Sequence, residues 1–325
     1  MLSQEVTGSQ VRVGISACLL GDRVRYDSGH KKNQFILSKL SPLVEFVRVC
    51  PEVEMGLGTP REPIRLVQQD EGVRLQTSNT GVDLTERMKV YARERVEKLA
   101  GLELDGFILK KDSPSCGMER VKVYREDGRN EKVGRGIFAE TLMDRMPLLP
   151  VEEEGRLCDP VLRENYLQRV FAHHRLQGLF GKSWSVGELV NFHSQEKFLL
   201  LSHNERNYRE LGRLVARASE LPPEEVAEQY QQLFMDGLSA QAGPGRHCNV
   251  LFHIFGYFSR SLSSEQKKEV LGVIDDFRRQ FVPLVVPLTL LQHYVALFNL
   301  EYLGQQSYLS PLPKQLMCRN YTLAQ

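Results

Sequence analysis

The spacing of apolar and polar residues divides the chain into two textures. Up to about residue 155 the apolar residues come in short alternating runs, such as Val11-Arg12-Val13-Gly14-Ile15-Ser16 and Val44-Glu45-Phe46-Val47-Arg48-Val49. A period of two with β-branched residues predicts half-buried strands. Between these runs Phe35, Ile36 and Leu40 have helical spacing, which predicts a helix from Asn33 to about Lys39, ended by Pro42. Strand, helix, strand predicts a parallel βαβ unit. Further on, Ile64–Val67 and Val73–Gln76 flank the polar Gln68-Gln69-Asp70-Glu71-Gly72 and predict a hairpin. Met88, Tyr91, Ala92, Val96 and Leu99 share one face of a helix that Asp83 or Thr85 can cap and Gly101 can close. A short strand is expected at Asp105–Lys110, a helix opening at Gly134–Phe138, and an edge strand at Pro147–Val151.

From Asp159 the alternation stops. Long amphipathic segments take over: Leu162–Leu179, Ser185–Ser202, Tyr208–Ala218, Pro223–Phe234, Asn249–Phe258, Ser264–Phe281 and Leu288–Tyr302. Pro222 and Ser264 stand where helices should start, and Pro283 and Pro287 break the chain before the last long helix. The expected fold class is an α/β N-terminal domain with a Rossmann-like, mostly parallel sheet, residues 1–155, followed by an all-α C-terminal domain, residues 156–325. The acidic run Glu152-Glu153-Glu154 is expected to join them.

Composition narrows the class of protein. A chain of 325 residues, 42% hydrophobic and 26% charged, is long enough for two cores and ordinary for a globular protein. No run of about 18 apolar residues predicts a membrane span, and Met1–Gln10 lacks the order of a secretory signal. Both point to the cytoplasm. The 42 Lys+Arg and 41 Asp+Glu balance, so composition does not announce nucleic-acid binding, although one basic patch would suffice for it. Six cysteines in a chain of this kind argue against a disulfide framework and leave metal binding or catalysis open.

Three of those cysteines have a common context. Cys18, Cys50 and Cys116 each stand just past an expected strand. In an open parallel sheet the ligand crevice lies outside the carboxyl ends of the strands, so the three are expected to converge. Cys50 in addition opens Cys50-Pro51-Glu52-Val53-Glu54, followed by glycines and prolines that neither continue a strand nor begin a stable helix. Four readings compete. Scattered structural thiols are one, since free cysteine is often buried. A structural zinc usually has four ligands in Cys-x-x-Cys pairs, which are absent. A nucleophilic cysteine with a base leaves two thiols unexplained. An iron–sulfur cluster on three thiolates, with one iron open to substrate, fits best. Cys158 and Cys318 are expected to be ordinary thiols, and Cys248 lacks this context.

Ile15-Ser16-Ala17-Cys18-Leu19-Leu20-Gly21 with Val24-Arg25-Tyr26-Asp27, then Cys50-Pro51-Glu52 with Gly56, Pro60-Arg61 and Pro63, then Ser113-Pro114-Ser115-Cys116-Gly117, together resemble the three ordered motifs of the thiouracil desulfidase family. The resemblance covers roughly residues 10–155. It implies a [4Fe-4S] cluster held by Cys18, Cys50 and Cys116, whose fourth iron takes a thiocarbonyl sulfur. It makes Glu52 the catalytic acid/base and Ser113 a substrate-contacting serine. Glu54 is the runner-up acid. Asn165-Tyr166, Trp184-Ser185, Phe192–Lys197 and Tyr308–Lys314 resemble a YbgA-like domain. Fusions of the two resemble the RudS-like desulfidases that act on 4-thiouridine in tRNA.

Arg25, His30, Lys31, Arg61 and Lys110 flank the expected site and are candidates for substrate binding. In the helical half the candidates for tRNA contact are Lys197, His203, Arg206, Tyr208, Arg209 and Arg213, with Arg246-His247-Cys248-Asn249 as a second patch, because interleaved arginine and tyrosine suit phosphates and splayed bases. His253 and His293 are expected in the core. The expected function is [4Fe-4S]-dependent removal of sulfur from 4-thiouridine in tRNA, giving uridine and hydrosulfide without net redox change. Desulfuration of free thiouracil or a thionucleoside and a non-catalytic iron–sulfur sensor are the alternatives. No membrane and no protein partner are expected.

Overall fold

A computed structural model describes residues 10–70, 72–125 and 127–316, and Cys318 lies outside these described residues. The chain forms two compact units that meet in sequence between Asp159 and Pro160.

The first unit carries strands β1 (Arg12–Ser16), β2 (Glu45–Val49), β3 (Ile64–Gln69), β4 (Gly72–Thr77), β5 (Gly106–Leu109), β6 (Val121–Tyr124), β7 (Asn130–Gly134) and β8 (Val151–Glu153). Its helices are α1 (Pro51–Glu54), α2 (Thr85–Ala100) and α3 (Ile137–Arg145). One sheet has the order β2-β1-β5-β8 and is parallel throughout, with Gly14 opposite both Val47 and Phe107. The middle strands are buried along nearly their whole length, the pattern of a parallel sheet covered on both faces. Gly14 lets β5 close in: a Cβ there would stand 2.2 Å from the Phe107 ring. Met88, Ala92, Val96 and Leu99 of α2 are buried with Phe138 and Leu142 of α3 in the core beneath this sheet, as the spacing in α2 predicts.

A second sheet has the order β4-β3-β6-β7 and contains the expected hairpin β3–β4. β6 and β7 escaped the sequence pattern: one is four residues long and the other is polar and mostly exposed. The expected helix after Asn33 is present: it opens as α-helix at Gln34 and Phe35 and widens to a π turn over Ile36–Leu40, with Asn33 Oδ1 accepting from the Ile36 N–H at 3.1 Å. Two expectations need correction. Glycine and proline after Cys50 do not prevent a helix, because Pro51 occupies the first helical position, where its missing N–H is no loss. The acidic run at Glu152–Glu154 is no linker either. Glu152 and Glu153 are buried in β8. Glu152 Oε1 accepts from Arg156 Nε at 2.7 Å, and Glu153 Oε1 accepts from the Met118 N–H at 2.8 Å. Glu154 takes the Lys111 N–H at 2.6 Å and pairs with the Lys110 ammonium.

The second unit is helical: α4 (Pro160–Phe180), α5 (Val186–His203), α6 (Glu205–Ala216), α7 (Pro223–Ser239), α8 (Pro244–Phe258), α9 (Ser264–Arg278), α10 (Val285–Leu297) and the one-turn α11 (Glu301–Gly304). Capping boxes start two of them, Ser185 with Glu188 and Ser263 with Gln266. Tyr230, Phe234, Leu211, Val250 and Ile254 are among its fully buried residues. No helix of the described residues is long and apolar enough to cross a membrane.

Candidate active site at the carboxyl ends of the parallel strands

β1 runs into the tight turn Ala17–Leu20, which buries Cys18 and closes on Gly21 at φ 101°. The Cys18 carbonyl accepts from the Lys31 N–H at 2.9 Å, which ties the following loop to it. Cys50 follows β2 and stands at the start of α1, with its N–H donating to Glu54 Oε1 at 2.9 Å. Cys116 lies in the loop after β5. There the Ser113 hydroxyl oxygen accepts from the N–H groups of Ser115 (3.3 Å) and Cys116 (3.1 Å). The start of α3 buttresses the loop from behind: the Phe138 and Ala139 N–H groups donate to the Ser115 carbonyl at 3.1 and 3.2 Å. Gly136 approaches so closely that a Cβ would stand 2.4 Å from that carbonyl.

The three thiols line one cavity of about 240 Å³, together with Glu52, Arg25, Arg61, Lys110 and Ser113. Burial pushes the Cys18 thiol up to about 11, with the neighbouring Cys50 adding to the rise. Burial also raises Cys50, and it raises Cys116 well above the usual thiol range, with Glu52 next in effect and then Cys50 and Cys18 adding. Cys18 therefore feels Cys50, and Cys116 feels both. Among the described residues, no three His, Cys, Asp or Glu side chains gather tightly enough for a single metal ion. The thiols face a shared space from three strand ends instead.

Glu52 is held at both oxygens. Oε2 accepts from Arg61 Nε at 3.0 Å and is paired with Arg61 Nη2. Oε1 accepts from the Ser115 hydroxyl at 2.7 Å. Arg61 also donates to the Gly58 carbonyl at 2.8 Å and the Val24 carbonyl at 2.9 Å, so its guanidinium is committed to the protein. Lys110, another expected substrate contact, is held by Glu154 and by the Lys111 carbonyl at 2.9 Å. Arg25 is less occupied: its Nε is 3.6 Å from Asp27, and its guanidinium lies 5.4 Å from the Tyr26 ring centre at the cavity wall. His30 and Lys31 are exposed and are not among the residues that line the cavity. Glu54 is not a free acid, since it bonds the Tyr91 hydroxyl at 2.7 Å and pairs with Arg95 at 2.9 Å. Sequence reasoning missed Ser115 as a partner of Glu52. Its signal was the second serine of Ser113-Pro114-Ser115-Cys116.

In the helical unit, Arg206 and Arg209 are exposed on α6 and pair along their own helix, with Glu210 at 2.9 Å and Glu205 at 2.5 Å. Lys197 lies 5.3 Å from the Phe198 ring centre, and Tyr208 stacks on His193 at 5.6 Å. One expectation fails and another holds only in part. His203 is buried, with Nδ1 and Nε2 against the Ala240 carbonyl (2.6 Å) and Gln168 Oε1 (2.9 Å), so it offers nothing to an RNA. The second patch keeps only half of its residues at the surface: His247 and Cys248 are buried in α8, where His247 bonds the Tyr308 hydroxyl at 2.9 Å, whereas Arg246, which donates to the His203 carbonyl, and Asn249 are exposed. Conversely, His253 and His293 are exposed and not in the core. Cys158 is exposed.

Residues 13–154 match the family model of 2-thiouracil desulfurase, and residues 197–313 match that of a protein of unknown function, DUF1722. The uncharacterized protein YbgA of Escherichia coli K12 is 34% identical over 158 residues, 48% of this chain and 94% of its own. The uncharacterized protein YbbK of Bacillus subtilis 168 is 32% identical over 134 residues, 39% of this chain and 87% of its own. A solved structure of a [4Fe-4S]-dependent thiouracil desulfidase, TudS, aligns with 46% of this chain and 93% of its own at 31% identity and a TM-score of 0.38. The chain thus belongs to the 2-thiouracil desulfurase family over its α/β unit and to the DUF1722 family over its helical unit.

Proposed function

We propose that the protein is a desulfidase that replaces the sulfur of a thiolated pyrimidine by oxygen, with 4-thiouridine in tRNA as substrate and a [4Fe-4S] cluster held by Cys18, Cys50 and Cys116. The observation that carries this reading is the meeting of three thiols from three strand ends with the Glu52 carboxylate at a single cavity of about 240 Å³. The donor set fits the cofactor: soft thiolates select iron–sulfur clusters, and thiols spread around a shared space suit a group larger than one ion. When bound, the cluster would supply a thiophilic Lewis-acid iron that polarises the carbon–sulfur bond.

The chain's own residues supply the rest. Glu52 takes a proton from the water that attacks the thiocarbonyl carbon, within hydrogen-bond reach in the bound complex. Arg61 fixes Oε2, so that this carboxylate cannot turn away from the cavity. Arg25 is available to a carbonyl or phosphate oxygen of the substrate. The balance is C=S plus H₂O to C=O plus H₂S, and no electrons are exchanged. Arg206, Arg209 and Lys197 serve tRNA capture by the helical unit, and the cytoplasm is where that substrate resides.

Protein purified without oxygen is expected to be brown, to contain iron and to release sulfide from thiolated tRNA. A colourless, zinc-loaded protein after anaerobic reconstitution would sink the cluster. Glu52→Gln is expected to keep the colour and iron content and to lower turnover by about 100-fold or more, and unchanged turnover would remove Glu52 from the reaction.

A further inference from the structure

We propose that Ser115 is a positioning residue for Glu52, and that its buried hydroxyl passes the orientation of Ser113 on to the Glu52 carboxylate. The proposal rests on Glu52 being the acid/base group of the site. It follows from counting protons. Ser115 is fully buried, and its oxygen lies 2.7 Å from Glu52 Oε1 and 3.0 Å from the Ser113 hydroxyl oxygen. An ionised carboxylate only accepts hydrogen bonds, whereas a hydroxyl has one proton to give. Glu52 Oε1 at 2.7 Å outcompetes the Cys116 sulfur at 3.8 Å for the Ser115 proton, so the hydrogen bond between the two serines is donated by Ser113.

Ser113 is then fully used. Its proton goes to Ser115, and its lone pairs take the N–H groups of Ser115 and Cys116. The bonds run one way, from Ser113 through Ser115 to Glu52. Oε2 is already in the grip of Arg61, so Ser115 anchors the oxygen that Arg61 leaves. A substrate that draws the Ser113 proton toward itself removes the donor feeding Ser115. Since linked hydrogen bonds polarise one another, that change is felt at Glu52, and substrate contact is coupled to the base.

A purely structural serine is separable from this role. The bonds that brace the loop from α3 go to the Ser115 carbonyl and not to its hydroxyl, so Ser115→Ala leaves them in place. In the full chain, loaded without oxygen, Ser115→Ala is expected to bind iron as the wild type does, to keep KM, and to lose kcat by about 10- to 100-fold through misplacement of the carboxylate. Infrared spectra of protein with ¹³C-labelled glutamate provide a readout that does not depend on turnover. The band missing from Glu52→Gln identifies Glu52, and Ser115→Ala is expected to shift that band. An unshifted band, or loss of iron in proportion to loss of activity, overturns the proposal. If the wild type itself releases no sulfide from any thiopyrimidine, the functional reading fails, and the infrared band alone decides whether Ser115 orients Glu52.

Discussion

At the scale of single residues, the site is a set of charges arranged to neutralise one another before any substrate arrives. Arg61 and Glu52 form an ion pair whose side chains are 6% and 15% exposed. Removing one partner of such a pair leaves the other poorly solvated and unpaired. Arg61→Ala is expected to destabilise the α/β unit by about 3 kcal/mol, measured by urea unfolding, while Arg25→Ala should leave stability unchanged and weaken substrate binding. The cysteines were legible in the sequence because Cys18 and Cys50 follow alternating strands and Cys116 follows the short apolar run Gly106–Leu109, and the strand direction does the gathering. The partners of Glu52 were not. Arg61 lies nine positions beyond it across an irregular loop, and Ser115 lies sixty-three beyond it on another strand end. Neither separation has a period, and only the folded sheet brings these atoms together.

At the scale of elements, β8 and the start of α3 carry most of the consequence. Glu153 is buried in β8, and burial, with the charge of Glu154 added, raises its carboxyl above the ordinary range. A carboxyl that holds its proton more tightly in the folded state contributes stability that is present below about pH 4.5, its unfolded value, and is lost as pH rises through the folded value. Glu153→Gln is therefore expected to raise the melting temperature at pH 7 and to change it little at pH 4, since the amide oxygen can still accept the Met118 N–H. Gly136→Ala must push the Ser115 carbonyl aside, and should cost about 1–3 kcal/mol and reduce iron occupancy together. The long amphipathic helices and the β3–β4 hairpin were readable because each shows a complete period. β6 alternates over only four residues, Val121–Tyr124, and β7 is too polar. β8 read as a linker because three acids in a row look solvated until the groups that bond them are in place.

At the scale of the whole molecule, two cores of different construction share one chain and should answer differently to pH and salt. In the helical unit burial, then the charge of Lys197, lowers His193 to about 4. The folded state resists the proton that the unfolded state accepts, so stability is present above about pH 6.5 and is lost as pH falls toward 4, by up to about 3 kcal/mol. Unfolding of the wild type and of His193→Gln at pH 7 and pH 4.5 checks this, the variant losing less. Charge reversal at Arg206 and Arg209 together should weaken action on thiolated tRNA at moderate salt and spare free thionucleosides. Equal loss on both would remove α6 from RNA capture. The division into two units shows in the change of texture at Asp159, whereas the acidic run drew the expected boundary to residue 155.

The thiols hang from β2, β1 and β5, three neighbours in a sheet paired through backbone groups and not through the thiols. Small metal-dependent domains owe their fold to the metal and unravel when it leaves. Here the core is built almost wholly from other, apolar residues, and the proposed cluster would be a replaceable tip. Protein stripped by a chelator should keep its far-ultraviolet circular dichroism and take up iron and sulfide again without denaturant. A cell could then recharge a molecule damaged by oxygen rather than discard it, and the working life of the enzyme would be set by how fast tips are renewed, not by how long the chain stays folded.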